Sequence, residues 1–153
     1  MIIGVTGNYA SGKDTVAELL QKMNFHHISF SDILREELNK NNKKLTRDNL
    51  IAKGNELREK YGKDILARLA IKKIKEGENH VFTSIRNVGE VEKLQKRSDF
   101  LLINVTSPEL VRLKRIIQRH REGDPKTLTE LRTKESLENS TNPNAQQLQQ
   151  VAD

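Results

Sequence analysis

Chemistry is densest in the run Gly7-Asn8-Tyr9-Ala10-Ser11-Gly12-Lys13-Asp14-Thr15. Gly7 and Gly12 free the backbone to wrap with its N–H groups inward. Lys13 brings a full positive charge to the outer phosphates of a nucleotide, and Thr15 offers a hydroxyl to an inner one. The spacing G-x-x-x-x-G-K is that of a phosphate-binding loop, which needs a strand before it and a helix after it. One position departs from that pattern: Asp14 stands where Ser or Thr usually supplies a hydroxyl to magnesium.

Other candidates extend this chemistry. Arginine suits phosphate because its planar fork binds two oxygens at once. Arg35 and Arg86 each follow a predicted strand end and are candidates for the phosphate of an acceptor. Arg112, Arg115 and Arg119 share one face of a helix by their spacing. Arg115 and Arg119 are candidates for contact with the nucleotide. Arg58 and Arg68 are further cations. Asp32 can accept the proton of a hydroxyl acceptor, orient Arg35, or simply cap a helix. The usual magnesium arrangement joins a loop hydroxyl to a carboxylate placed after a strand. Here the carboxylate, Asp14, lies in the loop, and the hydroxyls, Thr83 and Ser84, follow the third strand. The sequence therefore predicts an exchange of roles, with Asp14 and Thr83 as the magnesium residues. His26, His27, His80 and His120 show no metal spacing.

These residues need a scaffold. Ile2 to Thr6 reads as a buried strand and Val16 onward as an amphipathic helix. His27 to Phe30 reads as a second strand, followed by a helix from Ile33 to Leu38 capped by Ser31 or Asp32. Thr46 caps a helix over Arg47 to Tyr61, which Gly62 interrupts. Asp64 to Lys75 is the next helix. Val81 to Ser84 is a third strand and Val88 to Gln95 a short helix. Phe100 to Val105 is the fourth and most apolar strand. A helix begins at Ser107-Pro108 and runs to about Arg119. Thr127 or Thr129 caps another, through about Leu137. A final short helix is predicted over Ala145 to Ala152. Strands alternating with helices imply a parallel sheet covered on both faces, with ligands at the carboxyl ends of the strands.

Composition narrows the classes. The 153 residues carry a formal charge of +6 and no cysteine, which excludes disulfides and thiolate metal sites. With aromatics at 4% and no stacking platform, the basic balance points to small phosphorylated ligands rather than nucleic acid. No apolar run approaches the ~20 residues of a membrane span. The N-terminus enters a strand without a signal-like leader, and the expectation is a cytoplasmic, monomeric or homodimeric protein.

On these motifs the chain resembles a P-loop kinase of the nucleoside monophosphate kinase group, along nearly its whole length. Ser31-Asp32-Ile33-Leu34-Arg35-Glu36-Glu37 looks like the acceptor-site helix entrance of adenylate-kinase-type enzymes. Leu57 to Asp64 is similar to a segment of deoxynucleoside monophosphate kinases and of uncharacterised archaeal P-loop kinases. Ser84-Ile85-Arg86 stands where such kinases keep an acceptor-phosphate arginine, and the arginines before Gly123-Asp124-Pro125 resemble an arginine-bearing lid. The resemblance implies a three-layer α/β P-loop domain over 1–153, with an acceptor-binding segment at about 31–75 and a lid at about 112–135. It implies ATP and magnesium as cofactors, catalytic Lys13, Arg86, Arg115 and Asp32, and substrate-binding Asp32, Arg35, Arg58 and Arg86. The family's sheet has five strands; here no apolar run remains for the fifth, so four strands, a truncated chain or a strand completed by a partner chain is expected.

Three functions are consistent with these residues. The leading one is ATP-dependent phosphoryl transfer to a small phosphorylated acceptor, foremost a (deoxy)nucleoside monophosphate. A dephospho-CoA kinase, with a ribose hydroxyl as acceptor, is the alternative that Asp32 keeps open. A nucleotide-binding regulatory module with little turnover is motivated by the departures at Asp14 and Thr83.

Overall fold

The computed structural model describes every residue except Asn144, Ala145, Leu148, Gln149 and Ala152. Its elements, in chain order, are β1 (Ile2–Thr6), α1 (Lys13–Lys22), β2 (Phe25–Ser29), α2 (Phe30–Lys40), α3 (Arg47–Tyr61) and α4 (Ile65–Ile71). They continue with β3 (Asn79–Thr83), α5 (Val88–Gln95), β4 (Phe100–Asn104), α6 (Glu109–Gln118) and α7 (Leu128–Leu137). The four strands pair in parallel, in the order β2-β3-β1-β4.

Period-two alternation splits the core between two faces. Ile2 and Phe82 point into one cluster with Phe30, Leu66, Ile85 and Leu94. Their neighbours Ile3, Val5 and Val81 point into the other, against Ala17 of α1. Strand β1 lies between β3 and β4, so the order reverses there, and the glycine loop leaves its carboxyl end. That is the place where an open α/β sheet offers its ligand crevice.

Several boundaries differ from the sequence expectation. The second strand is Phe25–Ser29, and Phe30 is the first residue of α2 rather than the end of a strand. Phe30 is fully buried, so tertiary packing decides its place. Ser29 stands at the N-cap of α2, and neither Ser31 nor Asp32 caps it. Helix α4 stops at Ile71, after which Lys73 and Ile74 close tighter turns onto Ala70 and Ile71. The fourth strand is apolar yet partly exposed, with Leu101 55% accessible at the sheet edge. Helices α3 and α7 begin after Thr46 and Thr127, whose hydroxyls accept from the N–H of Asn49 and Glu130.

The predicted final helix over 145–152 lies partly outside the described residues. Within it, the Val151 N–H bonds to the Gln147 carbonyl, and Val151 is buried. Only four strands occur among the described residues. None of the described helices is long and apolar enough to cross a membrane.

Candidate functional site

The loop between β1 and α1 takes its shape from residues at positive φ: Gly7 at 150°, Ala10 at 58° and Gly12 at 102°. A Cβ at Gly7 would lie 2.3 Å from the Val105 carbonyl oxygen and 2.6 Å from Ser11 Oγ, so only glycine fits. Ser11 Oγ is buried and has no hydrogen-bond partner among the described residues. Lys13 Nζ rests 3.5 Å from the Asn8 carbonyl. Burial lowers the Lys13 pKa, which Asp14 and, more weakly, Glu138 raise while Arg86 lowers it further. A partly desolvated ammonium in a glycine loop at a helix N-terminus is suited to anionic oxygen.

A cleft of about 1030 Å³ opens over this loop. Tyr9 to Val16 form one side, and Leu34, Leu45, Leu50, Ile51 and Leu66 of the α2 to α4 region form an apolar wall opposite. Arg35, Arg47, Arg58, Arg86, Arg115, Arg119 and Arg121 line it, against the acids Asp14 and Glu138. The excess of cations gives the cleft a strong preference for polyanions.

The structure brings most of the predicted residues together, in differing states. Arg86 lines the cleft; burial lowers its pKa and Glu138 offsets part of that effect. Arg35 lines it too, while its Nη1 donates to Asp32 Oδ1 at 2.6 Å. Asp32 itself is exposed and is not part of the cleft wall. Arg58 borders the cleft but is spent on a buried pair: its Nε and Nη2 donate to Glu90 Oε1 at 3.0 and 2.8 Å. Arg68 lies outside, bonded to Asp64 and to the Tyr61 carbonyl. Asp14 and Thr15 are exposed at the cleft. Thr83 is not in its wall, and its Oγ1 lies 2.7 Å from His27 Nε2. The neighbouring Ser84 is in the wall, at φ 61°, with its Oγ accepting from Ser29 at 3.2 Å. Of the two expected magnesium residues, the structure therefore places only Asp14 at the cleft.

Two arginines of α6, in the segment expected as a lid, bind carbonyls of the loop. Arg115 Nη1 donates to the carbonyls of Ala10 and Ser11, both at 3.1 Å. Arg112 is buried, bonded to the Ser107 and Tyr9 carbonyls at 3.0 and 3.2 Å and to Glu135 of α7. These cations tie the carbonyls of Tyr9, Ala10 and Ser11 to α6, while the Ser11 N–H donates to the Asn8 carbonyl at 3.0 Å. Arg119 stacks over the Tyr9 ring at 4.6 Å and donates to Asp124.

Arg47, Glu90, Asp124 and Glu138 were missed from the sequence. Each has a partner 32 to 115 positions away; the local signals available were the Asn87-x-x-Glu90 capping box and Arg119, five positions before Asp124.

A parallel β2-β3-β1-β4 sheet with a glycine loop, a partly buried lysine and an arginine-lined cleft at its switch point defines a P-loop kinase-like domain. The chain belongs to the AAA domain family, whose model matches residues 6–132, and groups with the archaeal UPF0200 proteins. It is 37% identical over 127 residues to a UPF0200 protein of Sulfurisphaera tokodaii, covering 83% of this chain and 71% of that one. It is 36% identical over 145 residues to the UPF0200/UPF0201 protein of Archaeoglobus fulgidus, covering 91% of this chain but only 45% of that one. Among solved structures, the shikimate kinase of Acinetobacter baumannii in complex with shikimate aligns with TM-score 0.52 at 14% identity. That alignment covers 99% of this chain and 79% of the kinase, and at such identity it speaks to the fold.

Proposed function

We propose that this domain transfers the terminal phosphoryl group of ATP to a small phosphorylated acceptor, most specifically a (deoxy)nucleoside monophosphate. One observation carries the reading: the phosphate loop with Lys13 shares a single cleft with Arg35, Arg47 and Arg86 and with an apolar wall. The loop N–H groups and Lys13 hold the donor phosphates. Arg86 and Arg35 hold the acceptor phosphate, and Leu34, Leu50 and Ile51 take the flat face of a base. Phosphoryl transfer then needs alignment and neutralisation more than covalent help. Magnesium fits a donor set of Asp14 with the Thr15 or Ser84 hydroxyl, and when bound it supplies further neutralisation of the outer phosphates.

A phosphate acceptor is already ionised and needs no base. This agrees with Asp32, which is tied to Arg35 and lies outside the cleft wall. A ribose hydroxyl acceptor, as in dephospho-CoA kinase, would need Asp32 to leave Arg35 and reach into the cleft. The second reading is a nucleotide-binding module with little turnover, favoured by the removal of Thr83 from the cleft. The test is transfer of radiolabelled phosphate from ATP with magnesium, across ribo- and deoxynucleoside monophosphates and dephospho-CoA. Labelled nucleoside diphosphate is expected. Labelling of CoA alone would overturn the acceptor, and ATP binding without transfer to any acceptor would favour the module.

A further inference from the structure

Glu138 is the C-cap residue of α7. A carboxylate there meets the negative end of the helix dipole, so local helix physics does not account for it. Its side chain is nevertheless only 8% exposed. Arg47 Nη2 donates to its Oε1, and Arg86 Nη1 stands 3.9 Å from its Oε2. With Lys13, Ser84 and Arg86 it also lines a hollow of about 30 Å³ beneath the loop. One carboxylate thus sits among Lys13, Arg47 and Arg86, where the donor loop meets the acceptor wall.

The fit is incomplete. The Arg86 fork makes no hydrogen bond among the described residues, although its backbone N–H and carbonyl are both engaged, with Glu90 and with the Gln147 N–H. A guanidinium offers five donors, and a carboxylate at 3.9 Å satisfies none of them. A phosphate brings more charge and three oxygens to the same cations. The chain beyond Glu138 is fastened to the base of Arg86: Asn87 Nδ2 donates to the Pro143 carbonyl at 2.9 Å and the Gln147 N–H to the Arg86 carbonyl at 2.7 Å.

We propose that Glu138 is a resident anion at the acceptor-phosphate position: it offsets part of the charge of Lys13, Arg47 and Arg86 when no phosphate is bound and competes with the incoming phosphate. The inference deepens the phosphotransfer reading and rests on it. Acceptor affinity is then reduced by the fraction of molecules in which Glu138 occupies the cations.

The test is a calorimetric titration of inorganic phosphate into protein saturated with ADP and magnesium, which fill the loop. Glu138→Gln removes the competing charge while keeping the side chain's shape. It is expected to bind phosphate about tenfold more tightly, as follows when about a tenth of the wild-type sites are open. Unchanged or weaker binding overturns the proposal, since a residue that merely positions Arg47 and Arg86 gives a loss. If Glu138→Gln fails to fold, Glu138→Asp draws the carboxylate back by one methylene and is read the same way. Because the probe is the ion itself, a lack of transfer to every acceptor would sink the phosphotransfer reading and leave the phosphate titration to decide the role of Glu138.

Discussion

The Tyr9 hydroxyl donates to Asp124 Oδ1 at 2.6 Å, joining the phosphate loop to a turn 115 positions along the chain. Arg119 lies over the same ring at 4.6 Å and donates to the same carboxylate at 2.5 and 3.0 Å. Lys134 of α7 lies 4.8 Å from the ring centre on the same cluster. The segment from Arg119 to Asp124 is therefore fastened to the loop through a side chain. Movement of either one must break or carry this contact.

Tyr9→Phe tests the fastening. The ring and its stacked cations remain, while the hydroxyl's bond to Asp124 and the long one from Lys134 are lost, so stability should fall by about 1 kcal/mol. ADP affinity should fall severalfold as the loop loses its anchor. Urea denaturation and ADP titration measure the two effects. A loss of stability with no change in ADP binding would show that the contact is structural only.

Asp124 carries a pH signature. Hydrogen bonds from Arg119 hold its carboxyl at about 2, below the ordinary 3.8. Because the folded value is depressed, the stabilisation is fully present above the ordinary value and lost as pH falls through about 2. Denaturation at about pH 5 and at about pH 2.5 should show this acid-linked loss in the wild type and a smaller one in Asp124→Asn. Equal losses in both proteins would mean that other carboxylates dominate.

Gly7 and Gly123 offer a contrast. Alanine at Gly7 places its Cβ 2.3 Å from backbone oxygen at φ 150°, where nothing flexible can give way. Nothing lies within 4 Å of a Cβ at Gly123, which is strained only by its φ of 75°. Gly7→Ala should cost about 3 kcal/mol or more and abolish ATP binding, whereas Gly123→Ala should cost about 1 kcal/mol. Melting temperatures and nucleotide titration of the two variants check this. Retained ATP binding in Gly7→Ala would mean that the loop has another stable shape.

What the sequence revealed was local. Thr46 and Gly62 bound α3 correctly because a cap hydroxyl and a positive-φ glycine act within a turn. Lys13, Arg35, Arg86 and Arg115 were legible as cleft cations because each follows a strand end or sits on a patterned helix. Phe30 was misread as strand because an apolar residue fits either element, and burial under the sheet decides. β4 is the most apolar strand by sequence, yet Leu101 is half exposed because β4 is an edge. Arg58 reads like any phosphate arginine until its long-range partner, Glu90, is seen.

The magnesium donors can be separated by mutation. Asp14 and Ser84 border the cleft, while Thr83 is held by His27. Asp14→Asn should raise the magnesium concentration needed for half-maximal turnover severalfold, because a hard cation loses a charged oxygen. Thr83→Val should leave that requirement unchanged. A shifted requirement in Thr83→Val, with none in Asp14→Asn, would restore Thr83 to the site and remove Asp14.

Arg58 and Glu90 give the largest stability effect expected. Glu90 is fully buried and accepts from Arg58 and from the N–H groups of Arg86 and Asn87 at 2.9 and 3.1 Å. Burial raises its pKa, and Arg58 offsets part of that rise. Arg58→Met leaves the carboxylate buried without its cation and should cost about 3 to 5 kcal/mol. A carboxyl raised in the fold favours the folded state at low pH, and that contribution is lost as pH rises through the folded value. Removing Arg58 raises the folded value further, so the variant should recover stability relative to wild type as pH is lowered from about 8 to about 5. Guanidinium denaturation at the two pH values measures it. An equal deficit at both would mean that Glu90 stays ionised without Arg58, served by the two backbone N–H groups alone.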